Sequence, residues 1–171
     1  DPAGVAKVAG RTGEVVLADA GEIETLALLV LRQGAGAQFD RIAESRAALA
    51  SLGVHKVDAH DFPDTRLHEH LNDLIAIIEQ HVRDLSPDRV YTMFGEDRHQ
   101  DHRAVNQASM VACRLVPQIL AYETPSSYPN FIPTLFERVD AFIEGKVDAL
   151  KLHKSQGDRL YMREDKIRSA A

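Results

Sequence analysis

Arg89-Val90-Tyr91-Thr92-Met93-Phe94, followed by Gly95-Glu96-Asp97-Arg98-His99-Gln100-Asp101-His102, carries the transition that decides the fold. The first six residues are a short, mostly apolar run with β-branched and aromatic side chains, which reads as a strand. Gly95 breaks the run, and a helix is expected from about residue 101 to 115. Outward from this unit the same alternation recurs. Leu67, Leu71, Leu74, Ile75, Ile78, Val82 and Leu85 stand at steps of three and four, the stripe of a helix over 67–85, and Ser86-Pro87-Asp88 ends it. Upstream, residues 5–20 read as a helix closed by Gly21 and Leu26 to Leu31 as a strand buried on both faces. A helix over 40–52, with Asp40 as N-cap and Gly53 as its stop, leads to a short strand, Val54 to Val57. Downstream, Gln118 to Tyr122 is a strand, Pro125 to Pro133 a loop, and 139–154 a helix. Short apolar strands joined by connections long enough to hold helices define an α/β domain with a mainly parallel sheet. Nothing in the sequence suggests a linker or repeat, so residues 1–171 are read as a single domain.

Composition narrows the function. A net charge of -6 without a long basic run argues against nucleic-acid binding, which needs clustered Lys and Arg to meet phosphates. The longest apolar run, Leu26 to Leu31, is far short of the roughly 20 residues of a membrane span. The single cysteine, Cys113, excludes an intramolecular disulfide framework and a Cys-rich zinc site. It reads as a buried helix residue and fits a cytoplasmic location.

In α/β sheets ligands bind beyond the carboxyl ends of the strands, which is where the loop after Phe94 lies. His99 and His102 stand three apart at the start of the expected helix, so both can face one point. Imidazole is a common ligand for zinc-like metals, and an aspartate can ligate or hold such a histidine by a hydrogen bond. On spacing alone two readings remain open: a metal site, or a solvated helix cap. Two histidines do not complete a zinc site, which normally takes three protein ligands and an open position. His68 and His70 are expected on the polar side of the long helix, and His81 one residue off its apolar stripe. His55, His60 and His153 have no partner at ligand spacing, so surface or structural roles are expected for all six.

Asp97-Arg98-His99-Gln100-Asp101-His102-Arg103-Ala104-Val105 resembles the second metal motif of the LmbE/PIG-L zinc-dependent N-deacetylases. Further segments resemble the family in the same order. They are Arg41-Ile42-Ala43-Glu44 with Ala47-Ala48 and Leu52-Gly53-Val54, then Phe62-Pro63-Asp64-Thr65-Arg66-Leu67, then Ala121 to Ser127, and finally Lys154-Ser155-Gln156. The resemblance implies a Rossmann-like three-layer α/β sandwich and removal of acetyl groups from N-acetylglucosamine-type sugars or related conjugates. It implies Zn2+, or another divalent metal, held by His102. His99 would stabilise the oxyanion or protonate the departing amine, and Asp101 would hold the histidine pair. Arg41 and Asp64 match sugar-contacting positions, and Glu44 would brace the helix and loop. The loop from Thr124 to Pro133 is expected to shape the pocket.

The family's first motif, His-Pro-Asp-Asp, supplies two more zinc ligands and the catalytic base, and it does not occur in these 171 residues. One alignment sets Asp1 on its last aspartate, with Gly4-Val5-Ala6 as the Gly-rich stretch that follows. Another sets Asp19 to Thr25 on a degenerate version. The chain is therefore expected to lack its first strand, and its C-terminal end as well, since Ala171 falls inside what reads as another helix. The expected partner is a small acylated amino sugar or glycoconjugate, with a homo-oligomer open. Two alternatives stand beside the deacetylase. One is a degenerate, non-catalytic family member that binds sugar or acts as a scaffold. The other, a two-metal phosphoesterase, would want more carboxylates.

Overall fold

The computed structural model of the chain describes residues 13–18, 26–31, 41–136 and 138–169, with the backbone alone described in the first two stretches. Its strands are β1 (Gly13–Ala18), β2 (Leu26–Leu31), β3 (Lys56–Asp61), β4 (Arg89–Met93) and β5 (Gln118–Tyr122). Its α-helices are α1 (Arg41–Ser51), α2 (Leu71–Leu85), α3 (Gln100–Ala112), α4 (Ile143–Lys151) and α5 (Glu164–Ser169).

The strands form one sheet in the order β3-β2-β1-β4-β5. β2 pairs parallel with β3, and β4 parallel with β5, while β1 is antiparallel to both β2 and β4. Four strands therefore point one way and the central strand points the other. The direction of β1 follows from chain length. Seven residues, 19–25, join it to β2, and a parallel neighbour would need a crossover of a dozen or more.

The helix expected over 5–20 is overturned at 13–18, the part of it that is described. Gly13-Glu14-Val15-Val16-Leu17-Ala18 pairs on both sides, with β2 and with β4, and ladder bonding along both edges outweighs a modest helical pattern. Asp40, the expected N-cap, lies outside the described residues. α1 ends at Ser51, and the turn that closes it holds Gly53 at a φ of +83°, which is left-handed and suits glycine. The strand expected at Val54–Val57 lies further on, at Lys56–Asp61, because β3 is an edge strand that alternates polar and apolar residues. The 67–85 helix forms as a 3-10 turn over Leu67–His70 leading into α2, closed by Ser86 in the left-handed region. α3 begins at Gln100 and ends at Ala112, with Cys113 fully buried as its cap. The expected 139–154 helix is broken. α4 ends at Lys151, and Ser155 is held to α1 by Glu44, which accepts from its N–H at 2.9 Å and its hydroxyl at 2.6 Å. That tether draws the chain out of helical geometry, and it gives Glu44 the bracing role expected of it.

Helices cover both faces of the sheet, as β3 makes plain. Its Val57 and Ala59 pack with Leu49 of α1, whereas Asp58 and His60 meet His81 of α2. The main core lies on the α2–α3 side, where Leu74, Ile78, Val105 and Ala108 pack with Val90, Met93 and Tyr122. The result is a three-layer α/β sandwich. No helix among the described residues is long and apolar enough to cross a membrane.

Ile78 is 1% exposed in this core, so Ile78→Ala is expected to lower stability by about 2–5 kcal/mol through lost burial and the cavity left behind. A Cβ at Gly53 meets nothing within 4 Å, so Gly53→Ala should cost only about 1 kcal/mol, the strain of its left-handed backbone. Urea denaturation of both variants measures the contrast.

Candidate active site

The four co-directional strands deliver their carboxyl ends to one side of the sheet. Arg41 opens the helix after β2, Asp64 follows β3, and His99, Asp101 and His102 follow β4. The turn Thr124–Ser127 follows β5. Arg41, Asp64, His99, Asp101 and His102 thus all follow the carboxyl ends of these strands, the end at which such sheets bind ligands.

The buried centre of this region is Asp97, at 0% exposure, in the loop between β4 and α3. Its Oδ1 accepts from the His99 N–H at 2.7 Å and the Ser126 hydroxyl at 2.7 Å. Its Oδ2 accepts from the Thr124 hydroxyl at 2.5 Å and the Ser127 hydroxyl at 3.3 Å, and lies 3.1 Å from Nδ1 of His102. Burial by itself would raise the pKa of this carboxyl. The hydrogen bonds from Thr124, Ser126, the His99 N–H and His102 overcome it and hold the pKa at about 2. The loop is also tied from outside, since the Arg103 guanidinium donates to the Asp97 carbonyl at 2.6 Å. Gly95 is required for the close approach of Asn106, whose Nδ2 donates to the Met93 carbonyl at 2.8 Å; a Cβ at 95 would lie 2.6 Å from Asn106 Oδ1.

His102 is 2% exposed, in the first turn of α3. Its Nδ1 faces Asp97 and stands 3.3 Å from the Ser126 hydroxyl. A carboxylate on Nδ1 is how ligand histidines are commonly oriented, and it makes Nε2 the donor nitrogen for an ion. The donor chemistry of His102 thus fits a metal, although it supplies only one of the ligands a zinc site takes. His99, the N-cap of α3, stacks on His102 with ring centroids 4.6 Å apart and planes 19° from parallel. Its Nδ1 accepts from the Asp101 N–H at 3.3 Å. In the neutral ring this puts the proton on Nε2.

The side chain expected to hold the histidine pair, Asp101, does something else. Its buried carboxylate accepts from the N–H groups of Thr65 at 2.7 Å and Leu67 at 3.2 Å, and Gln100 bonds the Thr65 carbonyl. Asp101 therefore staples the Asp64 loop to α3, and Asp97 takes the contact with His102. The exchange has a geometric cause. Asp101 lies on the first turn of α3 beside the incoming loop, whereas Asp97 sits beneath the histidine, among hydroxyls from the turn after β5. Arg41 and Asp64 are exposed and free to meet solvent-borne ligands. The Thr124–Pro133 loop is anchored by Phe131, edge-on to Phe94 at 5.1 Å, and by Arg98 over the Tyr128 ring.

Two roles were not legible in the spacing. Thr124, Ser126 and Ser127 clamp Asp97 from about 30 residues away; the family resemblance of Ala121 to Ser127 marked the segment but not this role. His60 and His81, expected in surface or structural roles, converge on Asp58. All three offer ligand atoms within 4.8 Å of one another, a group that could hold a metal ion. His68 is exposed, and His70, half-buried, lies beside Asp73 and 5.4 Å from the Phe62 ring. His153 is buried, and burial lowers its pKa.

A three-layer α/β sandwich with an Asp/His assembly at the carboxyl ends of its strands defines a class of α/β proteins that bind ligands at that end of the sheet. Within that class the PIG-L family model, described as GlcNAc-PI de-N-acetylase, matches residues 5–113, and the chain belongs to this family. A curated relative, the "uncharacterized deacetylase YaiS" of Escherichia coli (strain K12), is 51% identical over an alignment of 123 residues, with 68% of this chain and 66% of that protein covered. Among solved structures, the conserved protein TT1542 from Thermus thermophilus superposes with a TM-score of 0.74 at 23% identity, covering 88% of this chain and 74% of that one. The N,N'-diacetylchitobiose deacetylase from Pyrococcus horikoshii gives a TM-score of 0.56 at 22% identity, covering 76% and 55%. At these identities the structural likenesses are to the fold.

Because folding depresses the pKa of Asp97, its contribution to stability is present above the ordinary carboxylate pKa. It is lost as pH falls from about 4 towards about 2. Chemical denaturation across that window should show a loss on the order of 2 kcal/mol, and Asp97→Asn should lack that component. At neutral pH, Asp97→Asn should itself cost about 3 kcal/mol, because an amide N–H would face the surrounding donors.

Proposed function

We propose that the protein is a metal-dependent N-deacetylase. It hydrolyses the acetyl amide of an N-acetylglucosamine-type sugar or related conjugate to acetate and a free amine. The observation that carries this reading is the contact of buried His102 with Asp97, which prepares one imidazole nitrogen as a donor at the ligand-binding end of the sheet. Family membership and a relative named as a deacetylase support the reaction class. Zinc, or another divalent cation that accepts imidazole and carboxylate, supplies Lewis acidity and a water of lowered pKa when bound.

The roles of the chain's own residues follow from chemistry. His102 is a metal ligand, oriented by Asp97. His99, with Nδ1 occupied by the Asp101 N–H, offers Nε2–H to the amide oxygen as it gains charge; protonation of Nδ1, which gives up the contact with the Asp101 N–H, makes the ring an acid for the departing nitrogen. Asp101 positions both His99 and the Asp64 loop. Arg41 and Asp64, exposed beyond neighbouring strands, bind sugar hydroxyls. The single cysteine has its pKa pushed up to about 11 by burial and takes no part.

Elemental analysis alongside deacetylation assays on N-acetylated glucosamine and its conjugates tests the assignment. His102→Ala is expected to lose the metal held at this site, read as a lower metal content per chain than in the unaltered protein, and turnover with it. His99→Ala should keep the metal while turnover falls about 10²–10³-fold. Full activity in either variant removes the role assigned to that residue. Sugar binding without turnover by the unaltered, metal-loaded protein would make it a non-catalytic binding module instead.

A further inference from the structure

Asp58 and His60 occupy the face of β3 that α2 covers, where burial ordinarily favours apolar side chains. Phe62, two residues on, packs into the main core. Instead the strand presents a carboxylate and an imidazole, and α2 brings a second imidazole to them. Asp58 Oδ2 lies 3.0 Å from Nε2 of His60 and 2.9 Å from Nε2 of His81. Both rings thus aim the same nitrogen at one carboxylate oxygen, from two different elements. The side chains are 43%, 28% and 19% exposed for Asp58, His60 and His81, so the cluster is partly shielded yet reachable by solvent.

We propose that Asp58, His60 and His81 form a second divalent-metal site, selective for zinc-like ions, that clamps the edge strand β3 to α2. Two imidazoles and one carboxylate are a borderline-soft donor set suited to zinc and unsuited to magnesium or calcium. Ligand atoms around a tetrahedral ion with bonds near 2.0–2.1 Å stand about 3.3 Å apart. The two Asp58–histidine spacings need to open by only a few tenths of an ångström, the ligand atoms of all three residues lie within 4.8 Å of one another, and water can take the fourth position. Binding requires each ring to carry its proton on Nδ1 and offer Nε2 as a lone pair. The two histidines already hydrogen-bond to Asp58 through Nε2, so the three ligand atoms are gathered, and an entering ion takes the place of the Nε2 protons, which move to Nδ1 or to solvent.

The site is separate from the region around His102. α2 begins beside the loop that Asp101 holds and carries His81 ten residues further, about 15 Å along the helix. Its occupancy therefore acts on the fold, by cross-linking two elements whose remaining contact lies at a sheet edge.

The test uses the full chain carrying His102→Ala, so that the site proposed for catalysis is impaired and the two assignments fail independently. Metal is removed by chelation, and Zn2+ or Co2+ alone is the probe. We expect Zn2+ uptake by elemental analysis, a raised melting temperature with Zn2+, and the visible absorption of tetrahedral Co2+. His60→Gln and His81→Gln, each added separately, keep an amide donor for Asp58 and should preserve the metal-free melting temperature. Each should weaken Zn2+ binding by about 100-fold or more and abolish the Co2+ spectrum. Absence of Zn2+ uptake by the His102→Ala protein, or uptake that persists unchanged in both glutamine variants, overturns the proposal.

Discussion

Asp97 is a carboxylate without exposure, held between the end of β4 and the turn after β5. A buried charge is tolerable only when its lone pairs are satisfied, and here three hydroxyls, a backbone N–H and an imidazole do so. Each of these donors is thereby fixed. The β5 turn cannot move without stripping Asp97 of hydroxyls, the β4–α3 loop cannot shift without losing the His99 N–H, and the His102 ring cannot rotate away from Oδ2. The His99–His102 stack and the start of α3 inherit their positions from this one group.

A second carboxylate extends the order outward. Asp101 commits both its oxygens to the backbone of the Asp64 loop, so the segment after β3 is referenced to α3 rather than left to wander at the sheet edge. Glu44 does the same for α1 and the segment after α4. Three acidic side chains, all from motif-bearing segments, thus lock the connections at the carboxyl ends of the strands. Such rigidity suits a site whose chemistry depends on placing a few atoms to within tenths of an ångström.

Much of this was readable in advance where the signal is local. The apolar stripe from Leu67 to Leu85 forms the helix it predicts, and Gly53 ends its helix because only the left-handed conformation closes it there. Short apolar runs become β2, β4 and β5. The reading failed where partners are distant. Gly13–Ala18 has a pattern compatible with a helix, and only the two neighbouring strands make it β1. Its reversed direction follows from a short connection whose consequence depends on which strand lies beside it.

The sequence by itself determined the class of the fold, the family, and the cluster of His and Asp at the head of α3, because periodicity, punctuation and motif spacing act over a few residues. Tertiary structure alone decided which carboxylate serves which group. Asp97 and not Asp101 meets His102, Asp101 turns to Thr65 and Leu67, and His60 and His81 find Asp58. A hydrogen bond acts over about 3 Å, and residues far apart in the chain come within that range only when strands and helices have packed.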